Sequence, residues 1–507
     1  MGTSSIQIPF SALDFTSAFM MGKLANKKPP CNIKTQIRTG ETMNFSQRRL
    51  YLELSEISHK TKKMETRRSF IKKTAVAGSA IIVAPTIIPA KAFGANDRIN
   101  AAVLGLNGRG KAHVQGLMVQ DNVQVTTLCD PDMNVLNRSL QEFKKSYNQE
   151  VALEQDLRRV MDNKDIDVVS IASPNHWHAL SVIWACQAGK DVYVEKPGSH
   201  NIWEGRKMVE AVQKYDRIVQ HGVQLRSSPA VNEAIGLLRE GYIGRVYMAR
   251  GLVFRWRGDI GNKGFSPVPE GLDYDLWTGP APKRPFTENL VHYNWHWHWD
   301  YGNGDVGNQG IHETDLCMWG LDVGLPTKIT SMGGKFLWDD CKEVPEVLTS
   351  VYNYPEENKI IQFEVRPWCT NTEEGATVGN IFYGDKGILV VDGYDKYKTY
   401  LGQNREPGKS GDDGVDSGTG MERGAGGTDG HFTNFIEAVR KHDSSLLNAP
   451  VETAHLASGL AHLGNIAYRL DRVLTFNPDS ETFVNDPEAD KMLTRNYRDG
   501  FVVPEKV

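Results

Sequence analysis

The chain has 507 residues, a formal charge of −4 and 40% hydrophobic residues. This length exceeds one typical domain and suggests two, plus appendages, while the near-balanced charge gives no reason to expect nucleic acid as a partner. No stretch reaches the ~20 apolar residues of a membrane span, so the mature chain is not expected to reside in a membrane.

Residues 1–63 form a polar preface without periodicity. Thr66 to Lys73 then reads T-R-R-S-F-I-K-K, followed by a moderately apolar run, Thr74 to Pro89, and Ala90-Lys91-Ala92. Paired arginines, an apolar region and an A-x-A site in this order resemble a twin-arginine export signal, which implies a periplasmic or exported protein. The alternative, a buried helix with a basic start, is opposed by Pro85 and Pro89. Met64 directly precedes Glu65-Thr66-Arg67-Arg68, so the expected natural start is Met64, with residues 1–63 a non-native or disordered extension and 64–92 the signal. Five of the six cysteines follow it (Cys129, Cys186, Cys317, Cys341 and Cys369), scattered and without C-x-x-C. Neither a disulfide framework nor a zinc site is expected from that pattern.

The next stretch organises the chain. Ile99 to Leu106 is an apolar run that ends in a glycine-rich turn, Gly105-Leu106-Asn107-Gly108-Arg109-Gly110, before a helix-like segment, Lys111 to Val119. Strand, tight glycine turn and helix are what a dinucleotide pyrophosphate needs, because glycines admit the phosphates to the backbone and the helix N-terminus favours anions. Asn107 occupies the middle glycine position of G-x-G-x-x-G, and an imperfect fingerprint alone is weak. Val123 to Asp130 adds a second strand ending in an acid, where a carboxylate can accept from the adenosine ribose and repel a 2′-phosphate. NAD is therefore favoured over NADP. Asp130 could instead cap a helix beginning near Met133.

Asp165 to Ala172 reads as a buried parallel strand ending at Ser173-Pro174-Asn175, His176 to Ala188 as a helix, and Asp191 to Val194 as a strand before Glu195-Lys196-Pro197. Ile218 to Arg226 continues the sheet, and Pro229 to Glu240 is helical. The glycine turn, Ser173-Pro174-Asn175-x-x-His178 and Glu195-Lys196-Pro197 together resemble the Gfo/Idh/MocA oxidoreductases, two-domain NAD(P)-dependent enzymes acting mostly on sugars and cyclitols. The resemblance implies cofactor contacts from Gly105, Asn107, Gly108, Arg109, Gly110, Asp130, Ser173, Pro174, Asn175, His178, Glu195 and Lys196. It also implies that Lys196 sits by the nicotinamide and the substrate hydroxyl, where an ammonium can stabilise developing negative charge. Gln224 and Arg226 become substrate or cofactor neighbours by the same pattern, with a salt bridge at a sheet end as the alternative for Arg226.

From Gly244 the texture becomes β-rich: Arg245 to Trp256, Lys328 to Trp338, Leu348 to Tyr354, Lys359 to Trp368, Gly379 to Tyr383 and Ile388 to Asp392, with a hairpin turn at Tyr383 to Gly387. Gln403 to Thr428, rich in glycine and charge, reads as an exposed loop. Gly430 to Lys441 and Thr453 to Leu470 read as helices returning to the first domain. The expected fold class is α/β: a Rossmann-type doubly wound parallel sheet, then an α+β domain with a largely antiparallel sheet. The expected domains are 93–226, 227–475 and a tail, 476–507, with a possible homo-oligomer through the second-domain sheet.

His292 to Asp315 is the densest chemical stretch. By resemblance, His312 falls on the family's catalytic histidine, near the first turn of a helix over Ile311 to Leu321, where the dipole lowers an imidazole pKa and favours the neutral base. Many dehydrogenase members carry an aspartate four residues before it, and this chain has Asn308; Asp305 and Asp315 are the candidate replacements. Trp295, Trp297 and Trp299 alternate with His296, His298 and Asp300, as in a strand with one aromatic face. Such a face can stack on sugar C–H groups, or can be a core plug. The expected substrate-binding set is Arg226, Trp295, His296, Asn308, His312 and Asp315, and no metal is expected. These readings imply a carbohydrate oxidoreductase with tightly bound NAD. A redox-neutral NAD-dependent glycosidase and a non-catalytic periplasmic sugar-binding protein are the alternatives.

Overall fold

The computed structural model describes residues 98–368, 371–414 and 426–507. The expected signal, the extension before it and Cys369 lie outside these residues. The first half alternates strand and helix: β1 (Ile99–Leu104), α1 (Gly110–Met118), β2 (Val123–Cys129), α2 (Met133–Tyr147), β3 (Ala152–Glu154), α3 (Leu157–Asp162), β4 (Val168–Ile171), α4 (His178–Gln187), β5 (Asp191–Glu195), α5 (Ile202–Tyr215) and β6 (Val219–Gly222). Its six strands are parallel, in the order β3-β2-β1-β4-β5-β6. The order reverses between β1 and β4, which opens the ligand crevice of a doubly wound sheet at their carboxyl ends. β4 and β5 are buried along their whole length, as strands covered on both faces must be. α2 shows how local chemistry sets the bounds: Asp132 accepts from Asn134 N at the start, and Asn148 at φ 51° ends the helix.

After α6 (Pro229–Arg239) come β7 (Val246–Phe254), α7 (Tyr274–Thr278), α8 (Gly304–Asn308), α9 (Gly310–Leu321), β8 (Lys328–Gly334), β9 (Val347–Tyr354), β10 (Lys359–Arg366), β11 (Val378–Gly384), β12 (Gly387–Asp392), β13 (Lys396–Leu401) and β14 (Glu406–Asp412). The chain continues with α10 (Gly426–Lys441), α11 (Val451–Leu470), β15 (Leu474–Asn477), β16 (Thr482–Phe483) and α12 (Pro487–Asp490). These ten strands make a second sheet, antiparallel except where β7 pairs with β10. Helices α6, α9 and α11 cover one face through a core that includes Leu238, Leu316, Leu460, Tyr352 and Phe363. Tyr383 to Gly387 is the expected hairpin turn between β11 and β12.

Three sequence expectations fail. Residues 292–300 are not a strand: Asn294–Trp297 form a 3-10 turn, and Trp295 and Trp297 are buried. The expected loop over Gln403 to Thr428 contains β14, which hydrogen-bonds to β13; residues 415–425 lie outside the described set. The strand expected to reach Arg226 stops at Gly222, and Gln224–Ser227 make another 3-10 turn.

Helices α10 and α11 both contribute to the cores of the first sheet. Phe432 stacks on Tyr193 at 4.2 Å and touches α1 so closely that a Cβ on Gly116 would lie 2.4 Å from the Phe432 ring. A stacked aromatic pair adds about 0.5–1.5 kcal/mol beyond its area burial. α11 bridges the two sheets, with Val451 and Ala454 in the core of the first and Ala457 to Ala467 in the core of the second. Beyond Phe483 the chain returns to the first sheet, where Phe501, Val503 and Val507 are buried. No described helix is long and apolar enough to cross a membrane. Cys129, Cys186 and Cys317 are buried free thiols, and Cys341 is half-buried and free.

Candidate active site

A cavity of about 600 Å³ opens at the carboxyl ends of β1 and β4 and extends to the start of α9. Its cofactor end is shaped by glycine. Gly105, at φ +85°, brings the turn against β4, and a Cβ there would lie 2.7 Å from both Ala172 O and Ser173 N. Gly110 lies so close to the Gly105 carbonyl that a Cβ would sit 1.9 Å from its oxygen. A Cβ on Gly108, by contrast, would meet nothing within 4 Å. No side chain caps α1, and Gly108, Arg109, Lys111 and Ala112 line the cavity there. An uncapped helix N-terminus behind an open glycine fits a pyrophosphate.

Asp130 lines this end of the cavity and also holds the turn. It accepts from Leu106 N at 2.9 Å and Asp132 N at 3.1 Å, and burial lifts its carboxyl to about 6 despite those donors. The capping role falls to Asp132, not Asp130. Ser173, Pro174 and Asn175 form the opposite lip, with His178 behind them. His178 sets one ring nitrogen 2.6 Å from Pro197 O and the other 2.7 Å from Ser173 O, tying that lip to the segment after β5.

Glu195 is a buried anionic hub. It receives Arg109 Nε at 2.9 Å, His113 Nε2 at 3.2 Å and Gln224 Nε2 at 3.2 Å. Burial pushes its pKa up, but the Arg109 guanidinium and the His113 contact hold it well below the carboxylate range. Lys196, one residue on, faces the middle of the cavity. Its Nζ donates to Asn308 O at 2.8 Å and Asn308 Oδ1 at 3.2 Å. Burial lowers the ammonium to about 8, even though Glu195 opposes the shift.

His312 enters from the first turn of α9. Burial, then the Lys196 ammonium, pushes its pKa down to about 3, so the ring is neutral at physiological pH. Neutrality was expected from the helix dipole; burial is the larger cause. Its Nδ1 has no hydrogen-bond partner among the described residues. Trp295 and His296 also line the cavity, stacked at 3.6 Å and 20°. His296 Nδ1 donates to Tyr293 O at 2.6 Å, and burial lowers the ring to about 3.

Two expected substrate residues are elsewhere. Arg226 and Asp315 do not line the cavity; they form a two-pronged pair at 2.8 and 2.8 Å, with Arg226 over the Trp319 ring. The salt-bridge alternative holds because Gly222 ends β6 and the turn after it carries Arg226 toward α9. Asp305 is likewise engaged, by Arg257 at 2.8 and 2.8 Å, so neither acid replaces the aspartate absent at Asn308. Gly110 shapes the turn without lining the cavity. The sequence reading missed Arg255, Gln309 and Tyr394, which do line it. Arg255 and Tyr394 lie just past the ends of β7 and β12, and strand ends were the available signal.

Residues 99–223 match the Gfo/Idh/MocA oxidoreductase family's NAD-binding Rossmann fold, and residues 245–358 and 426–503 match its C-terminal alpha/beta domain. A levoglucosan dehydrogenase of Pseudarthrobacter phenanthrenivorans is 38% identical over 105 residues, 20% of this chain and 27% of that protein. A glycosyl hydrolase family 109 protein of Saccharopolyspora erythraea is 25% identical over 209 residues, 37% of this chain and 45% of that protein. The chain thus spans less than half the length of either relative. Among solved structures, levoglucosan dehydrogenase with NADH and levoglucosan superposes with a TM-score of 0.56 at 18% identity, covering 75% of this chain and 99% of that one. The aldose-aldose oxidoreductase from Caulobacter crescentus gives 0.56 at 16%, covering 75% and 100%. At these identities the superpositions establish the fold.

Proposed function

As the chain belongs to the Gfo/Idh/MocA oxidoreductase family, we propose that it is an NAD-dependent oxidoreductase acting on a hydroxyl of a sugar, cyclitol or glycoside. The observation that carries this reading is that Lys196 and neutral His312 line the same cavity as the glycine turn. The levoglucosan dehydrogenase bound to NADH and levoglucosan supports the substrate class. Gly108 and the N-terminus of α1 would hold the pyrophosphate, and Asp130 the adenosine ribose. Bound NAD supplies the hydride acceptor.

The chain's own groups handle the proton and orient the sugar. An ammonium has three N–H donors; two of Lys196's reach Asn308, leaving one for the substrate oxygen. His312 accepts the hydroxyl proton as the C–H bond breaks. Before the proton moves, burial and the Lys196 ammonium keep His312 neutral, so its ring is free to accept. Trp295 and His296 offer a flat face for sugar C–H groups. Because the donating form of Lys196 is the ammonium, deprotonating at about 8, kcat/KM is expected to fall as pH rises through that value. A profile flat to high alkaline pH would remove the Lys196 charge from catalysis.

A second reading, redox-neutral cleavage by oxidation, elimination, hydration and re-reduction, is supported by Asn308 in place of the usual aspartate and by the glycosyl hydrolase family 109 relatives. Export on the Arg67-Arg68 signal further argues for cofactor loaded before transport and retained, since little free NAD lies outside the cytoplasm. One experiment separates these possibilities. Protein from the exported fraction, extensively dialysed, is mixed with sugars and glycosides while cofactor absorbance and released sugar are followed. Net reduction of NAD supports the first reading, and released sugar without net absorbance change the second. Neither signal would identify a sugar-binding protein. Denaturing the dialysed protein should release stoichiometric NAD; cofactor-free protein that recovers only with millimolar NAD overturns retention.

A further inference from the structure

Tyr394 lines the cavity, with its ring centroid 5.2 Å from that of His312. Its hydroxyl is bonded to Gln309 Nε2. The remaining contacts of Gln309 decide which partner donates. Gln309 Oε1 lies 2.7 Å from Arg255 Nη1, and a guanidinium can only donate. The amide oxygen therefore faces Arg255, and the NH₂ group faces Tyr394 Oη on one side and Glu313 Oε1, at 3.3 Å, on the other. Flipping the amide would set N–H against N–H at Arg255. The phenol oxygen is thus an acceptor from Gln309, and among the described residues its hydroxyl makes no second hydrogen bond.

We infer that Tyr394 donates its hydroxyl hydrogen to a substrate oxygen beside His312, and that Gln309 is the positioning residue that directs it. This inference rests on the oxidoreductase reading and adds a donor to it. Burial, then Glu313, pushes the phenol's pKa up, so the hydrogen stays in place. Burial also lifts the Glu313 carboxyl to about 8, which leaves it mostly uncharged near neutrality and suited to accept from Gln309 without drawing in Arg255. Lys196 and Tyr394 then supply two donors, and His312 one acceptor, around a polar substrate. That set matches a hydroxyl oxygen that carries negative charge as its proton passes to His312 and before hydride leaves the neighbouring carbon.

The test uses full-length holoenzyme and the sugar turned over best in a panel of free hexoses and anhydro-sugars that includes levoglucosan. Tyr394→Phe removes the donor. Gln309→Glu keeps the phenol but places a carboxylate oxygen against it, which accepts the phenolic hydrogen and turns it out of the cavity. Each variant should lose about tenfold to a hundredfold in kcat/KM, and the double variant should lose no more than either single. Affinity for NADH, titrated by fluorescence, should stay within about twofold, the range of a surface-scale change. A merely structural role would give losses that multiply, and that result overturns the inference. Active wild type with an unimpaired Tyr394→Phe overturns the tyrosine assignment alone. Wild type that binds NADH but oxidises no sugar in the panel overturns the oxidoreductase reading, and this inference with it.

Discussion

Lys196→Ala is expected to lower kcat/KM for sugar oxidation by roughly 10²- to 10⁴-fold, the usual range for a positioned proton-handling group. Each tenfold corresponds to about 1.4 kcal/mol of transition-state stabilisation. The fold should survive, because among the described residues Lys196 Nζ bonds just the two oxygens of Asn308, a residue that itself lines the cavity. His312→Ala should lose a comparable factor, again without unfolding, since no described group relies on its Nδ1. The double variant should lose much less than the product of the two, because the groups act on one proton transfer. Steady-state kinetics beside thermal melting curves check this, and near-wild-type turnover in either single variant removes that residue from the mechanism.

Gly105→Ala is expected to weaken NADH binding by about a hundredfold or more, equivalent to roughly 2.8 kcal/mol, and to lower the melting temperature. Two penalties act together. The residue sits at φ +85°, which costs a side-chain-bearing residue about 1–3 kcal/mol. The new methyl would also lie 2.7 Å from Ala172 O and Ser173 N, so the turn and the Ser173 lip must part. Gly108→Ala separates the two effects. Its Cβ meets nothing within 4 Å, so its melting temperature should match wild type whatever happens to cofactor affinity. Equal thermal behaviour in the two variants would show that the cradle is not as tight as described.

The strands of the first sheet were legible because continuous apolar runs such as V-V-S-I stand between glycine and proline turns. Those of the second were legible where one face is buried, as in β9, whose burial alternates residue by residue. β14 escaped because its E-P-G-K-S-G-D sequence is held by backbone pairing at an exposed sheet edge, and hydropathy carries no trace of that. The W-H-W-H run misled for the converse reason. Its alternation mimics a strand, yet both kinds of side chain are buried, with Trp295 stacked on His296. At the site, Lys196, Asn308 and His312 were visible through motifs. Tyr394 and Gln309 were not, since their significance lies in a hydrogen-bond direction that only the Arg255 contact reveals.

The packing of Phe432 under α1 carries a consequence for the order of events during synthesis. The glycine turn leaves the ribosome early, but the helix behind it rests on a ring supplied by α10. Val451, Ala454, Phe501 and Val503 complete the other face still later. At about 5–20 residues per second, the nascent turn waits for tens of seconds before its backing arrives. The strands of the first sheet lie close together in sequence and can pair meanwhile, yet the anion-facing end of α1 has no fixed position until Phe432 is in place. A growing chain therefore has little hold on a dinucleotide, and cofactor capture belongs to the completed polypeptide.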